Sequence, residues 1–241
     1  MRQSNTYIIL YSAAITVVCG GLLAFAAVSL KPQQDANIAM EQKKNILASV
    51  ITLKEGDDIN EIYNKQVKAF VIDAQGNVVE GMTPEKVIVA AEYKKTPKER
   101  LLPVYEFRND SGKVEYAVMP VYGYGLWNNI WGFIAVKSDF NTVQGVKFQH
   151  AGETPGLGAR IESEEIQERF KGKSIFENGS LVSINIQKGE GNDYSGNPHK
   201  VDGMSGATLT AKGVNNMLKD YLACYENYLK KNVGSTKQAS L

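Results

Sequence analysis

The 241-residue sequence predicts an α+β domain behind a single N-terminal membrane-spanning helix. Three observations carry that expectation. Residues 7–30 contain no charge, and Ser12, Thr16 and Ser29 are their only hydroxyls besides the tyrosines. The middle of the chain alternates short apolar runs with Gly, Asn and Asp turns, the pattern of a mixed, mainly antiparallel sheet. The last long segment repeats its apolar residues at helical spacing, so helices pack on that sheet.

As a helix the uncharged run reaches roughly 36 Å, enough to cross a bilayer with some tilt. A cleaved signal peptide is the competing reading, with Arg2 as its basic flank and Ala24-Phe25-Ala26 as its cleavage site. The run is long for a signal core, which favours a retained anchor. Lys31-Pro32 is expected to end the span. A second helix then starts at Asp35 and continues to Thr52, with apolar Ala36, Ala39, Met40, Ile46, Leu47, Val50 and Ile51. Residues 54–58 form a polar break, and 59–65 a further short helix. Val67 to Ile72 and Val78-Val79 flank the turn residues 73–77 and predict a hairpin. Residues 83–100 give no clear signal.

Strands are expected at 102–108 and 113–121 around the turn Asn109-Asp110-Ser111-Gly112, then at 130–137 and 142–149. Residues 163–170 predict a helix, 181–187 a strand and 189–198 a loop. From Thr208 to Lys231 the apolar residues Val214, Met217, Leu218, Tyr221, Leu222, Tyr225 and Leu229 share one helical face. The expected organisation is therefore a short tail (1–6), a span (7–30), a membrane-proximal helix and linker (31–58), a globular domain (59–231) and a flexible tail (232–241).

Charge excludes some partners. Lys and Arg total 27 against 26 Asp and Glu, and residues 1–30 hold only Arg2, so residues 31–241 carry 26 of each and sum to zero. That balance shows no basic stripe for nucleic acid. Cys19 and Cys224 are too few and too badly placed for a disulfide framework or a metal cluster. His150 and His199 lack supporting ligands, so a structural hydrogen bond is the reading for His150. Neither a nucleophile elbow, a G-x-G-x-x-G nor a P-loop is present.

Three segments could carry chemistry. Asp202-Gly203-Met204-Ser205-Gly206-Ala207-Thr208-Leu209-Thr210 is a small-residue turn feeding the last helix. Helix starts carry unpaired N–H groups and the positive end of the macrodipole, which suit a phosphate, although an ordinary Ser205 N-cap explains the same residues. His150-Ala151-Gly152-Glu153-Thr154-Pro155-Gly156-Leu157-Gly158-Ala159-Arg160 is the second segment, with three glycines and a proline between 152 and 158. Such a loop lets backbone amides approach a flat ligand, and it is also the composition of a plain turn. The third is Tyr122-Gly123-Tyr124-Gly125-Leu126-Trp127. Trp131, inside a predicted strand, is assigned to the core.

These motifs resemble the covalent FMN-binding domain family. Together with the N-terminal span, the whole chain is similar to the C-subunit family of the sodium-translocating NADH:quinone oxidoreductase. The resemblance implies FMN linked through its phosphate to the hydroxyl of Thr208 by a flavin transferase that handles a Mg²⁺-bound flavin dinucleotide. Ser205 and Thr210 are rival hydroxyls, Gly206, Ala207 and Leu209 complete the turn, and Asp202 marks the position associated with transferase recognition. Glu153, Thr154, Leu157 and Gly158 become flavin-lining candidates, with Leu157 on the ring face and Trp127 against the flavin. The resemblance further implies electron relay without independent substrate turnover, and contacts with membrane lipid and with the B, D and E subunits of the complex. It places a single-pass protein in the bacterial inner membrane with its domain in the periplasm, whereas charge counting around the span leans weakly to the cytoplasm. The G subunit of a related ferredoxin-linked complex shares the flavin motif, and Gly-Tyr-Gly-Leu-Trp favours the sodium-pump branch. A membrane-tethered flavin-binding sensor is the rival of another class.

Overall fold

A computed structural model describes residues 4–238. Helix α1 (Asn5–Ala48) is continuous through Pro32 and carries an apolar stretch long enough to cross a membrane, its side chains exposed. The break between two helices expected after Lys31-Pro32 is therefore absent. Proline removes one ladder hydrogen bond, but its fixed φ is itself helical, so the chain can run on. Asp35 does not cap a new helix; its carboxylate pairs with Lys31 one turn back at 2.8 Å. The chain divides into two compact units between Lys43 and Lys44.

The second unit is built on a five-stranded antiparallel meander in the order β1 (Val67–Ile72), β2 (Leu102–Arg108), β3 (Val114–Tyr124), β4 (Asn129–Lys137) and β5 (Val143–His150). Strand alternation gives this sheet two buried faces. Val118, Phe107, Phe133 and Ala135 pack on one side against Ile46, Leu47 and Val50 and against Tyr63 of α2 (Ile59–Gln66), which Asp58 caps. Ala117, Met119, Val121, Ile134 and Val136 face the other way, onto the long helix α5 (Thr208–Gln238). All seven residues assigned to its apolar face are buried, Val214, Leu218, Leu222, Tyr225 and Leu229 completely. Polar ties fix the helix on the sheet. The Tyr225 hydroxyl lies 3.0 Å from the Pro103 carbonyl and 3.3 Å from that of Pro120. Nearby, Tyr228 donates to the buried Glu106 carboxylate, which Arg108 also holds.

Several elements differ from the sequence expectation. β1 takes β2 as its neighbour, and Val78 makes only an isolated bridge to Ile72, so the 67–79 hairpin shrinks to a turn held by the Asp73 carboxylate. Between them, 3-10 turns and the short α3 (Val89–Glu92) fill residues 84–99. The helix expected over 163–170 shortens to α4 (Glu164–Glu168), capped by Ser163 and preceded by a 3-10 turn, Gly158–Glu162. The single strand expected over 181–187 is two pieces. β6 (Phe176–Glu177) pairs with β7 (Ser180–Leu181), then Ser183 adopts φ 63° and turns the chain, and β8 (Asn185–Ile186) pairs in parallel with β9 (Lys200–Val201). Trp131 is only partly buried, its indole N–H donating to Gln149. The helix also continues past Asn232 to Gln238, where fraying was expected; residues 239–241 of that tail lie outside the described residues.

Tyr225→Phe removes a buried donor shared by two strand carbonyls. We expect it to cost about 1–3 kcal/mol, read as a lower urea midpoint at unchanged slope for the detergent-solubilised chain. An unmoved midpoint would show that this tie contributes nothing.

Candidate functional site

Two strand ends and one helix start converge on a single carboxylate. β3 ends in a turn closed by the Gly125 N–H on the Asn128 carbonyl, which presents the backbone N–H groups of Leu126 and Trp127. Both donate to Glu153 Oε1 at 2.9 Å. β5 delivers Glu153 itself, whose own N–H donates to His150 Nδ1 at 3.2 Å, so His150 has the structural role expected of it. From the first turn of α5, the Thr210 hydroxyl donates to Glu153 Oε2 at 2.5 Å.

Glu153 is 4% exposed and Thr210 1% exposed. Burial alone would raise the Glu153 pKa, but the donors from Thr210, Trp127, Asn128 and Leu126 outweigh it and hold the carboxyl below its usual range. The site therefore keeps a buried charge only because its lone pairs are filled. Gly158 is required for this closure. A Cβ there would stand 2.4 Å from Thr210 Oγ1 and 2.5 Å from Glu153 Oε2.

The 202–208 turn lies beside this clamp. Ser205 was expected to cap α5; the structure puts Ala207 at the N-cap, its carbonyl accepting from the Ala211 N–H. A methyl group has no oxygen to offer the first-turn N–H groups, so the helix start is left open for an anion. Thr208 is the first helical residue and is exposed, in contrast to the buried, hydrogen-bonded Thr210. Gly206, at φ 74°, turns the chain into the helix. A Cβ on it would meet Leu157 Cδ2 at 2.6 Å, which brings the 152–158 loop onto the turn.

Around this point the large apolar side chains face outwards: Trp127, Leu209, Leu126 and Leu157 are all exposed. Thr154 is exposed as well, while its carbonyl accepts from Leu157 and Ala159. The Asp202 carboxylate accepts from the Gly191 N–H and from Asn192. Lys200 is exposed on β9, and His199 is tied to the Ser174 carbonyl. Among the described residues no cluster of His, Cys, Asp and Glu could hold a metal.

Sequence reasoning did not anticipate Glu190, Arg160 and Arg169. Glu190 accepts from both Arg160 guanidinium nitrogens at 2.9 and 2.6 Å and from Arg169 at 3.1 Å, while also accepting the Ser205 N–H at 2.9 Å. Those donors lower its carboxyl to about 2, Arg160 most of all. These residues sit on three separate loops and turns with no spacing rule to join them. A cleft of about 640 Å³ opens beyond Asp202, but the Lys173 ammonium lining it is already spent on the Tyr194 and Asn197 carbonyls.

The comparisons with known proteins agree with one another. Residues 125–223 match the model of the FMN-binding domain. The C subunit of the Na(+)-translocating NADH-quinone reductase of Haemophilus ducreyi is 35% identical over 220 residues, 85% of this chain and 84% of the relative. The Pseudomonas aeruginosa protein of that name is 34% identical over 243 residues, 92% of each. Among solved structures, the C subunit of this reductase from Parabacteroides distasonis superposes with a TM-score of 0.73 at 35% identity, covering 83% of this chain and 96% of that one. Shewanella oneidensis NqrC gives 0.68 at 27% identity, covering 80% and 96%.

The depressed Glu153 pKa has a signed consequence. Its stabilisation is present above the unfolded value of 4.5 and is lost as pH falls through the lower folded value. Glu153→Gln is thus expected to unfold more easily than the parent at pH 7, with the gap narrowing below pH 4.5 in parallel urea titrations. A gap that stays constant down to acid pH would place the variant's effect outside this ionisation.

Proposed function

The chain belongs to the C-subunit family of the Na(+)-translocating NADH-quinone reductase, and on that premise we propose that it holds FMN through a phosphoester on Thr208. One observation carries the reading: the exposed Thr208 hydroxyl opens a helix whose cap position is an alanine, beside an exposed apolar rim. The residues fit the group. Unpaired N–H groups and the helix dipole at residues 208–210 receive the phosphate. Leu157 and Trp127 offer faces for a planar ring, with Thr154 and the 152–158 amides along its polar edge. Ser205, Gly206, Ala207 and Leu209 shape the turn, and Asp202 braces it from behind.

Flavin supplies reversible electron uptake and release, which no side chain here provides. The protein's part is positional. Glu153 sets the spacing of its donors, Thr210 anchors the helix start, and Gly158 allows the close approach. In this reading the buried hydroxyl of Thr210 is structural, and Thr208, not the exposed Ser205 in the preceding turn, is the attachment point because it opens the helix. α1 anchors the chain in the lipid of the bacterial inner membrane, with the domain on the periplasmic side. The bound flavin would serve to relay electrons towards the B subunit of the NADH-quinone reductase, with the D and E subunits as neighbours. A flavin transferase performs the attachment.

Co-expression with a flavin transferase should yield a band that fluoresces under ultraviolet light after denaturation. Thr208→Ala should abolish it, whereas Thr210→Ala and Ser205→Ala should not fully remove it. A band persisting in Thr208→Ala would move the attachment to a neighbouring hydroxyl.

A further inference from the structure

We infer that Glu190, clamped by Arg160 and Arg169, is a positioning residue that sets the Thr208 hydroxyl for attachment of the flavin phosphate. The inference rests on the Thr208 reading and extends it to residues outside the flavinylation motif.

Two opposite contacts fix the turn. Glu190 Oε2 accepts the Ser205 N–H at 2.9 Å, while Arg169 Nη1 donates to the carbonyls of Gly203 and Asp202, the latter at 3.3 Å. Donor and acceptor positions of residues 202–205 are thereby held from one side of the fold. Asp202 returns the contact, accepting from Gly191, the residue next to Glu190. Close packing adds a steric limit, since a Cβ on Gly203 would lie 2.1 Å from the Gly189 carbonyl and 2.2 Å from that of Gln187. The braced strip ends three residues before Thr208, and only Gly206 and the buried Ala207 intervene. Displacement at Ser205 therefore passes directly into the helix start.

The arginines make the brace rigid. Arg160 grips Glu190 with both nitrogens, a geometry that a guanidinium holds and an ammonium does not. Arg160 and Arg169 also contact Glu165, which lies on the solvent side at the start of α4. Glu165 shares the charges without gripping the turn, which supplies an internal control.

In attachment, Thr208 Oγ forms a bond to the phosphorus of the FMN half of a flavin dinucleotide. The anhydride bond to the adenylate half breaks, adenylate leaves with the bonding electrons, and the hydroxyl proton passes to solvent. Such a displacement requires the hydroxyl in line with the leaving oxygen, and a misplacement of about 1 Å can cost on the order of 100-fold in rate.

The test uses the full-length chain in detergent, a purified flavin transferase, flavin adenine dinucleotide and Mg²⁺, scoring covalent flavin against time. Glu190→Gln is expected to slow transfer about 10- to 100-fold at saturating dinucleotide, with the KM for the dinucleotide unchanged. Arg169→Lys should fall between it and the parent, and Glu165→Gln should match the parent. Circular dichroism melts taken alongside should show the variants folded at the assay temperature. Transfer at the parental rate in Glu190→Gln, or a loss no larger than its unfolded fraction, would overturn the inference. Absence of transfer to the parent chain itself would instead overturn the Thr208 reading, and this inference with it.

Discussion

Glu153 is a negative charge almost wholly removed from water at the meeting point of three chain segments. An isolated buried carboxylate would be strongly unfavourable, and what makes it tolerable is complete use of its oxygens. One oxygen takes the Leu126 and Trp127 amides and the other takes the Thr210 hydroxyl. The constraint also works in reverse. If any one segment moves, a buried charge loses a donor, so the strand ends and the helix start hold their places together. The proposed flavin seat is a by-product of that shared requirement.

Behind the clamp, the fold supplies stiffness. The meander is buried on both faces, and α5 is locked to it by the Tyr225 and Tyr228 hydroxyls as well as by its apolar face. In front of it, the surface departs from ordinary economy. Trp127, Leu126, Leu157 and Leu209 are left exposed where a soluble surface would favour polar groups. A planar ring laid across them would cover apolar area while its far edge stays accessible. The proposed electron-carrier role would call for such an arrangement, because partners must approach the ring.

Much of this was legible in the residues themselves. The positions of β2, β4 and β5 and the apolar face of α5 follow from periodicity, which tertiary contacts here reinforce, whereas β3 runs on to Tyr124, three residues past its expected end at 121. The turn at 202–208 was visible because small residues crowd the start of a long amphipathic helix. Other features had no local signal. The stretch 181–187 alternates like a strand, yet Ser183 turns left-handed because Val182 and Ser183 both donate to the Ile175 carbonyl and Asn215 of α5 captures Ile186. Pro32 looks like a stop, but a helix tolerates it when nothing else competes for the chain. The Glu190 brace joins loops about 30 residues apart, and such pairings are decided by the fold. Even Ser205, the obvious cap, lost that place to Ala207, because the helix starts at Thr208.

Amide hydrogen exchange probes the clamp without reference to any cofactor. The Trp127 ring is exposed while its backbone N–H is bound to a buried carboxylate, so the account predicts slow exchange at Leu126 and Trp127 in the parent chain. In Glu153→Ala those two amides should lose protection together with Ala211, whose N–H bonds the Ala207 carbonyl at the start of α5, with Ile134 in β4 unaffected. If Leu126 and Trp127 exchange at the same rate with and without the carboxylate, Glu153 does not hold the site together.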